Sequence, residues 1–390
     1  MPGFVPFTAL RYTATDDLES LVAPPYDVLS EADAESYRQR SEHNIVRIDV
    51  PRGPDGYAES ARLLDQWQAD GVLSTDARPT FTIYRLRFTD AGGTRRDIAG
   101  VLGGLEVVDE GAGGVLPHER TTPKASTDRL DLTRATRANL SPIWGLSLAA
   151  GLTELLTEPG GLVGRVVDEG VEHLVERVSD PDRITAIADL IGSDDVLIAD
   201  GHHRYGVSRI YRDEVRTATG RTDTESEQTL AFVSELVADQ LSVAAIHRLY
   251  TGISVDELLA ALSRRFEATE ISPPEPETLA EMEAKGFLVL VGDRATWRLE
   301  PLTGAFDDVR ELDGAWLEAA LDGVPHEVTY QHGLPEVTEA VHAGRATAAI
   351  LIRPVSVQEI QRTAREALLM PPKSTFFTPK LKTGLVLRPL

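Results

Sequence analysis

The chain has 390 residues, with 62 acidic against 39 basic side chains, a formal charge of −23 and no cysteine. Its length and its hydrophobic content of 42% permit a substantial core and two or three domains. Without cysteine there is no disulfide, thiolate metal site or cysteine nucleophile, and so acidic a chain disfavours broad binding to a nucleic-acid backbone.

Met1 to Phe7 carry no basic leader, and no window approaches about 18 uninterrupted apolar residues, so a cytoplasmic protein without a membrane span is expected. Ala23-Pro24-Pro25-Tyr26-Asp27-Val28 reads as extended chain entering a turn. Ser30 is the expected N-cap of the next helix, and the alternation over Asn44–Val50 predicts a strand ended by Pro51. A helix is expected over 57–70, closed by Gly71, and a strand over Phe81–Phe88 that turns at 91–93 and returns towards Val108.

Leu116 to Thr121 lie in an expected loop where His118 and Glu119 adjoin Arg120 and Lys124, with Asp128 and Arg129 close behind. Acid, imidazole and base in one loop suit proton transfer, although a solvated charged loop has the same composition. A helix is expected from Asp131 to Asn139, Ser141 to Ser147 leads into another expected strand, and two helical stretches are expected within 171–193, the second ended by Gly192.

Residues 195–211 form the most informative stretch. Val196 to Ala199 read as a buried strand, Asp200-Gly201 breaks it, and helical spacing resumes from His203. Asp200, Gly201, His202, His203 and Arg204 therefore sit at a strand-to-helix corner. Glycine there admits close backbone approach, and a helix N-terminus presents unpaired N–H groups to an anion. The competing reading is an ordinary turn with solvated side chains.

Further on, His247-Arg248 closes a predicted strand as a second candidate pair. Residues 254–300 alternate helix and strand around a Pro-rich break at 272–276, and Ala348–Arg353 is an expected buried strand followed by a helix over 356–369. Lysine occurs only at 124, 285, 373, 380 and 382, and three of these lie near the C-terminus. Lys373, Ser374 and Thr375 could hold phosphate oxygens beside Phe376 and Phe377, or belong to a packed tail. Neither Gly-x-x-x-x-Gly-Lys-Ser/Thr nor Gly-x-Gly-x-x-Gly occurs, which argues against a P-loop or Rossmann nucleotide site.

Four phrases together carry a family resemblance: Ala-Pro-Pro-Tyr-Asp-Val at 23–28, Pro-His-Glu-Arg-Thr at 117–121, Ala-Asp-Gly-His-His-Arg-Tyr at 199–205, and Met-Pro-Pro-Lys-Ser-Thr-Phe-Phe from 370. The chain resembles the bacterial and archaeal family known as domain of unknown function 1015, a name that implies no activity. Residues 184–211 also resemble the ParB/sulfiredoxin-like superfamily, whose members bind nucleotide phosphates at such a corner. Asp-Gly-His-His-Arg is similar to the motif of free serine kinases, which phosphorylate L-serine using ADP or ATP and use an upstream glutamate as general base. CTP-binding ParB proteins carry two arginines, so His203-Arg204 favours the kinase-like branch.

The resemblance implies a mixed α/β (α+β) fold with a ParB/sulfiredoxin-like core around the corner. Three regions are expected: an N-terminal α/β region at 1–110, the motif region at 111–250 and a C-terminal α/β region at 251–390, with one integrated unit as the alternative. The leading expectation is a nucleotide-dependent kinase acting on a small hydroxylated metabolite such as L-serine. In that reading Glu119, Asp200, His202 and His203 are catalytic, and Gly201, His203, Arg204, His118, Lys373, Ser374 and Thr375 bind phosphate or nucleotide. ATP or ADP with Mg²⁺ would be the cofactors, no nucleic-acid or membrane partner is expected, and a homo-oligomer is open. The alternatives are a ParB-like nucleotide-binding regulator without turnover, and a metal-dependent hydrolase using His118, His202 and His203.

Overall fold

Apolar runs bounded by turn residues become central strands: Val196–Asp200 and Gln228–Glu235 are buried along almost their whole length. The computed structural model describes residues 1–90, 93–117, 126–366, 368–371 and 373–390. It divides into one unit of Met1–Ser242, Ala364–Leu368 and Pro379–Leu390, and a second of Val243–Thr363 and Leu369–Thr378.

The first unit is a mixed α/β layer structure built on a nine-stranded sheet. Its strands run in the order Val115–Pro117, Val196–Asp200, Ile143–Ser147, Gln228–Glu235, Arg95–Glu106, Phe81–Thr89, Val171–Val178 and Gly161–Asp168, with Phe4–Val5 added against Arg95–Glu106. Two pairings are parallel, Val196–Asp200 with Val115–Pro117 and Gln228–Glu235 with Ile143–Ser147; the rest are antiparallel. Residues before 110 and after 111 thus share one sheet. On one face, Phe81, Ile83, Val101, Val196 and Val233 pack with Ile187 and Ile191 of the Pro181–Ile191 helix. The last residues return to this unit as a strap, where Thr383 bridges to Ala23, Leu387 to Leu10, and Arg388–Pro389 pairs with Ala138–Asn139.

The second unit is a six-stranded antiparallel sheet with a hydrophobic cluster on each face. Within it, His247 is buried and its Nδ1 accepts the Ile352 N–H at 3.2 Å, while Arg248 donates to the carbonyls of Ile246 and Lys373. Both side chains serve packing. Among the described residues, no helix is long and apolar enough to cross a membrane.

Several expected elements are present. Ser30 caps the Glu31–Arg40 helix in a capping box with Asp33, and Gly71 follows the Gly56–Ala69 helix at φ +74°. Three expectations fail. Leu116 and Pro117, expected in a loop, lie in the Val115–Pro117 strand, where they pair with Leu197 and Ile198. Asn44–Val50 holds the short helix Val46–Asp49 instead of a strand. The Asn44 side-chain oxygen accepts the Val46 N–H, while its amide donates to the carbonyls of Ser20 and Val22, so a local side-chain bond displaces the ladder. Val171–Val178 is a strand, not a helix. Glu169 and Gly170 both have positive φ and form the tight turn that folds it back on Gly161–Asp168.

His173 lies on that strand, 1% exposed, with Nδ1 2.8 Å from the Tyr84 hydroxyl. Burial lowers its pKa to about 3, with Lys382 adding to the effect. The unfolded chain therefore takes up a proton below about pH 6.5 that the folded chain refuses, and stability is lost as pH falls from there towards the folded value. The melting temperature is expected to drop between about pH 6.5 and 5, and His173→Gln to flatten that drop. An unchanged slope in the variant would show that other groups set the acid response.

Candidate functional site

The Val196–Asp200 strand reaches its end through an irregularity. Ile198 pairs with Gly145 but Asp200 with Trp144, so Ala199 is an extra residue that re-aims the strand terminus. Gly201 follows at φ +89° as N-cap of the 18-residue helix His202–Thr219, without a side-chain cap. A Cβ on Gly201 would stand 3.0 Å from Ile143 Cγ2 and 3.1 Å from Arg204 Nε. The position requires glycine both for its backbone angle and for space.

The first turn of that helix differs from the other described α-helices. Each of the others has an acid in its first turn, as helix electrostatics favour. His202–Thr219 has none there and carries His202, His203 and Arg204 instead. Arg204 adds a cation to the positive end of the helix and the two imidazoles add ring nitrogens beside it, an arrangement that favours an anion.

Asp200 holds this arrangement in place. One carboxylate oxygen is 2.5 Å from an Arg204 guanidinium nitrogen and the other 2.6 Å from Lys380 Nζ. Arg204 also donates to the Pro142 carbonyl. Burial alone would raise the Asp200 carboxyl, but Lys380 and Arg204 outweigh it and hold the pKa well below the usual carboxylate range. Asp200 is thus a fixed anion between two cations, a poor proton acceptor and a good anchor.

Beside Arg204 lies a small pocket whose lining includes Tyr26, Asp49, Arg129, Asn139 and Ser141. Arg129 stacks over the Tyr26 ring at 4.0 Å and donates to both the carbonyl and the carboxylate of Asp49. Burial raises the Asp49 pKa against the pull of Arg129 and Arg204, and burial raises the Tyr26 hydroxyl to about 12.

The structure brings Asp200, Gly201, His202, His203 and Arg204 together at one corner. His118 and Glu119 lie outside the described residues; the described chain before them ends at Pro117, which pairs with Ile198 in the neighbouring strand. Lys373, Ser374 and Thr375 belong to the second unit, where Lys373 has φ +59° and the Ser374 hydroxyl donates to the Pro371 carbonyl. Among the described residues, no group of three or more His, Asp or Glu side chains could hold a metal ion. Sequence reasoning placed Lys380 only among the three C-terminal lysines whose charge could hold phosphate oxygens, and gave Asp49 no role. The rarity of lysine pointed towards the first, and nothing local marked the second.

Two substitutions test this geometry. Gly201→Ala should cost about 1–2 kcal/mol from the left-handed backbone alone, and Lys380→Met about 1–3 kcal/mol by leaving half of Asp200 without its partner. Both are read by denaturant unfolding. Wild-type stability in both variants would mean that the corner is not held as described.

No curated protein matches the chain. Solved structures similar to it include a conserved hypothetical protein from Pyrococcus furiosus, 13% identical over 70% of this chain and 92% of that one, with a TM-score of 0.38. Free serine kinase in complex with AMP is 14% identical over 70% of this chain and 89% of its own, also with a TM-score of 0.38. C-terminally truncated SbnI from Staphylococcus aureus is 12% identical, covers 74% of this chain and 87% of its own, and has a TM-score of 0.41. The family model described as protein of unknown function (DUF1015) matches residues 4–315, and the chain belongs to that family.

Proposed function

We propose that the protein is a nucleotide-dependent phosphotransferase that phosphorylates a small hydroxylated metabolite such as L-serine, with the Asp200–Arg204 corner holding the phosphates. One observation carries the reading: the His202–Thr219 helix has no first-turn acid, bears three basic side chains there, and begins at a glycine that exposes its N–H groups. In a chain of net charge −23, that is a local site for an anion.

Phosphoryl transfer needs positioning and charge neutralisation more than covalent help from the protein. In this reading Gly201 and the following amides cradle phosphate oxygens, and His202, His203, Arg204 and Lys380 offset their charge. Asp200 anchors Arg204 and Lys380, so the acceptor's proton goes to another group. Glu119 is the proposed base, with His118 beside it as a phosphate contact, since Pro117 pairs with Ile198 just before the corner. ATP or ADP would be the donor, and Mg²⁺ would be carried mainly by phosphate oxygens and water, because both Asp200 oxygens are occupied. The same features suit a ParB/sulfiredoxin-like nucleotide site.

The test is purified protein with Mg²⁺ and ADP or ATP against a panel of hydroxy and amino acids, followed by phosphorus NMR. A phosphorylated product is expected from the wild type, with a loss of at least about 100-fold in Glu119→Gln and His203→Ala. Tight nucleotide binding with no product on any acceptor would replace the kinase reading with a nucleotide-binding regulator.

A further inference from the structure

The strands of the second unit's sheet run in the order Phe266–Ile271, Thr296–Pro301, Leu288–Gly292, Ala348–Leu351, His247–Thr251 and Glu327–Gln331. All but the last give side chains to the hydrophobic clusters on the two faces; Glu327–Gln331 gives none. It is an outer strand held by pairing with His247–Thr251, and its Val328 and Tyr330 stand 36% and 40% exposed. The Tyr330 ring lies under the Arg248 guanidinium at 4.7 Å, so it is already ordered. The opposite edge, Phe266–Ile271, sets Phe266 into the core and carries Glu267 and Glu270. Charges of that kind guard an edge against pairing, and Val328-Thr329-Tyr330 has none.

Backbone direction follows from the neighbouring strand. The Tyr250 carbonyl accepts the Thr347 N–H, so Tyr250 turns its backbone groups towards Ala348–Leu351. Leu249 and Thr251 then face the outer strand, opposite Thr329 and Glu327. Alternate residues of a strand direct their N–H and C=O groups to opposite sides. Val328 and Tyr330 therefore present their donors and acceptors at the open edge.

We propose that this edge pairs with the same edge of a second copy of the chain, antiparallel and centred on Thr329, so that the two sheets become one across a twofold axis. The register that overlaps the whole strand sets Val328 opposite Tyr330 of the second copy. Both face outward, so the two such pairs can exchange their N–H···O=C bonds fully. A register shifted by one residue would set outward groups against residues already bonded inward. On one face of the pairing a β-branched side chain meets an aromatic ring twice. On the other, Thr329 meets Thr329 and Glu327 meets Gln331, with no like charges opposed. The strand's own sequence is thus its complement. The contact is short and each copy carries −23, so the dimer is reversible and favoured by salt.

The experiment is sedimentation velocity of the full chain from about 1 to about 100 μM, at low and high salt. A monomer–dimer equilibrium is expected, at least about threefold tighter at high salt. Val328→Lys places a guarding lysine on the edge, and Tyr330→Pro removes an outward N–H while leaving the bonds to Leu249; each should weaken the dimer at least about tenfold. Gln331→Lys should tighten it about threefold and Gln331→Glu weaken it as much, through Glu327 of the second copy. Within one copy these two positions lie about 13 Å apart along the strand, out of reach of each other. Unchanged melting temperatures identify folded variants, and if Tyr330→Pro melts early the other three decide. A chain that stays monomeric throughout would overturn the proposal. So would a dimer indifferent to the folded variants, or one that Gln331→Lys weakens.

Discussion

The corner depends on one carboxylate shared by two cations. Asp200 ends a buried strand and holds Arg204 at 2.5 Å and Lys380 at 2.6 Å, from segments separated by 176 residues of sequence (380 − 204). Lys380 arrives only because the C-terminal strap is bound along the first unit through Thr383, Leu387 and Arg388. Removing either cation would leave the carboxylate under-compensated, and removing the carboxylate would leave two cations side by side. Strand, helix and strap are fixed together at the point where the chain collects positive charge.

That concentration runs against the rest of the molecule. An acidic surface keeps a protein soluble but repels anions, so an anion site must be made locally. Here the means are structural as much as compositional. The bulge at Ala199 re-aims the strand end, Gly201 opens the backbone, and the first helical turn lacks the acid found in the other described α-helices. The neighbouring pocket follows another rule, with Asp49 and Arg129 paired in its wall. Charge near the corner is thus arranged largely in bound pairs.

How much of this was legible in the sequence follows from range. The corner was readable because apolar run, Asp-Gly break and helical spacing are contiguous over Val196 to Tyr211. The Ser30 cap and the Gly71 stop were local signals too. Asn44–Val50 misled because its alternation is real, but Asn44 ties the backbone into a turn through bonds to Ser20 and Val22 that no local pattern announces. Val171–Val178 misled because Glu169-Gly170 is a weak turn signal unless Glu169 is known to adopt positive φ. Asp49, Arg129 and Tyr26 meet across about 100 residues of chain (129 − 26 = 103), and Lys380 reaches Asp200 across 180. Such meetings are products of the fold.

The most direct measurement of the central claim is a crystal structure of the protein grown with ADP and Mg²⁺. The account predicts phosphate oxygens against the backbone N–H groups after Gly201, within hydrogen-bonding reach of the cations that Asp200 holds. Phosphates bound away from Gly201, with the helix N-terminus untouched, would contradict it.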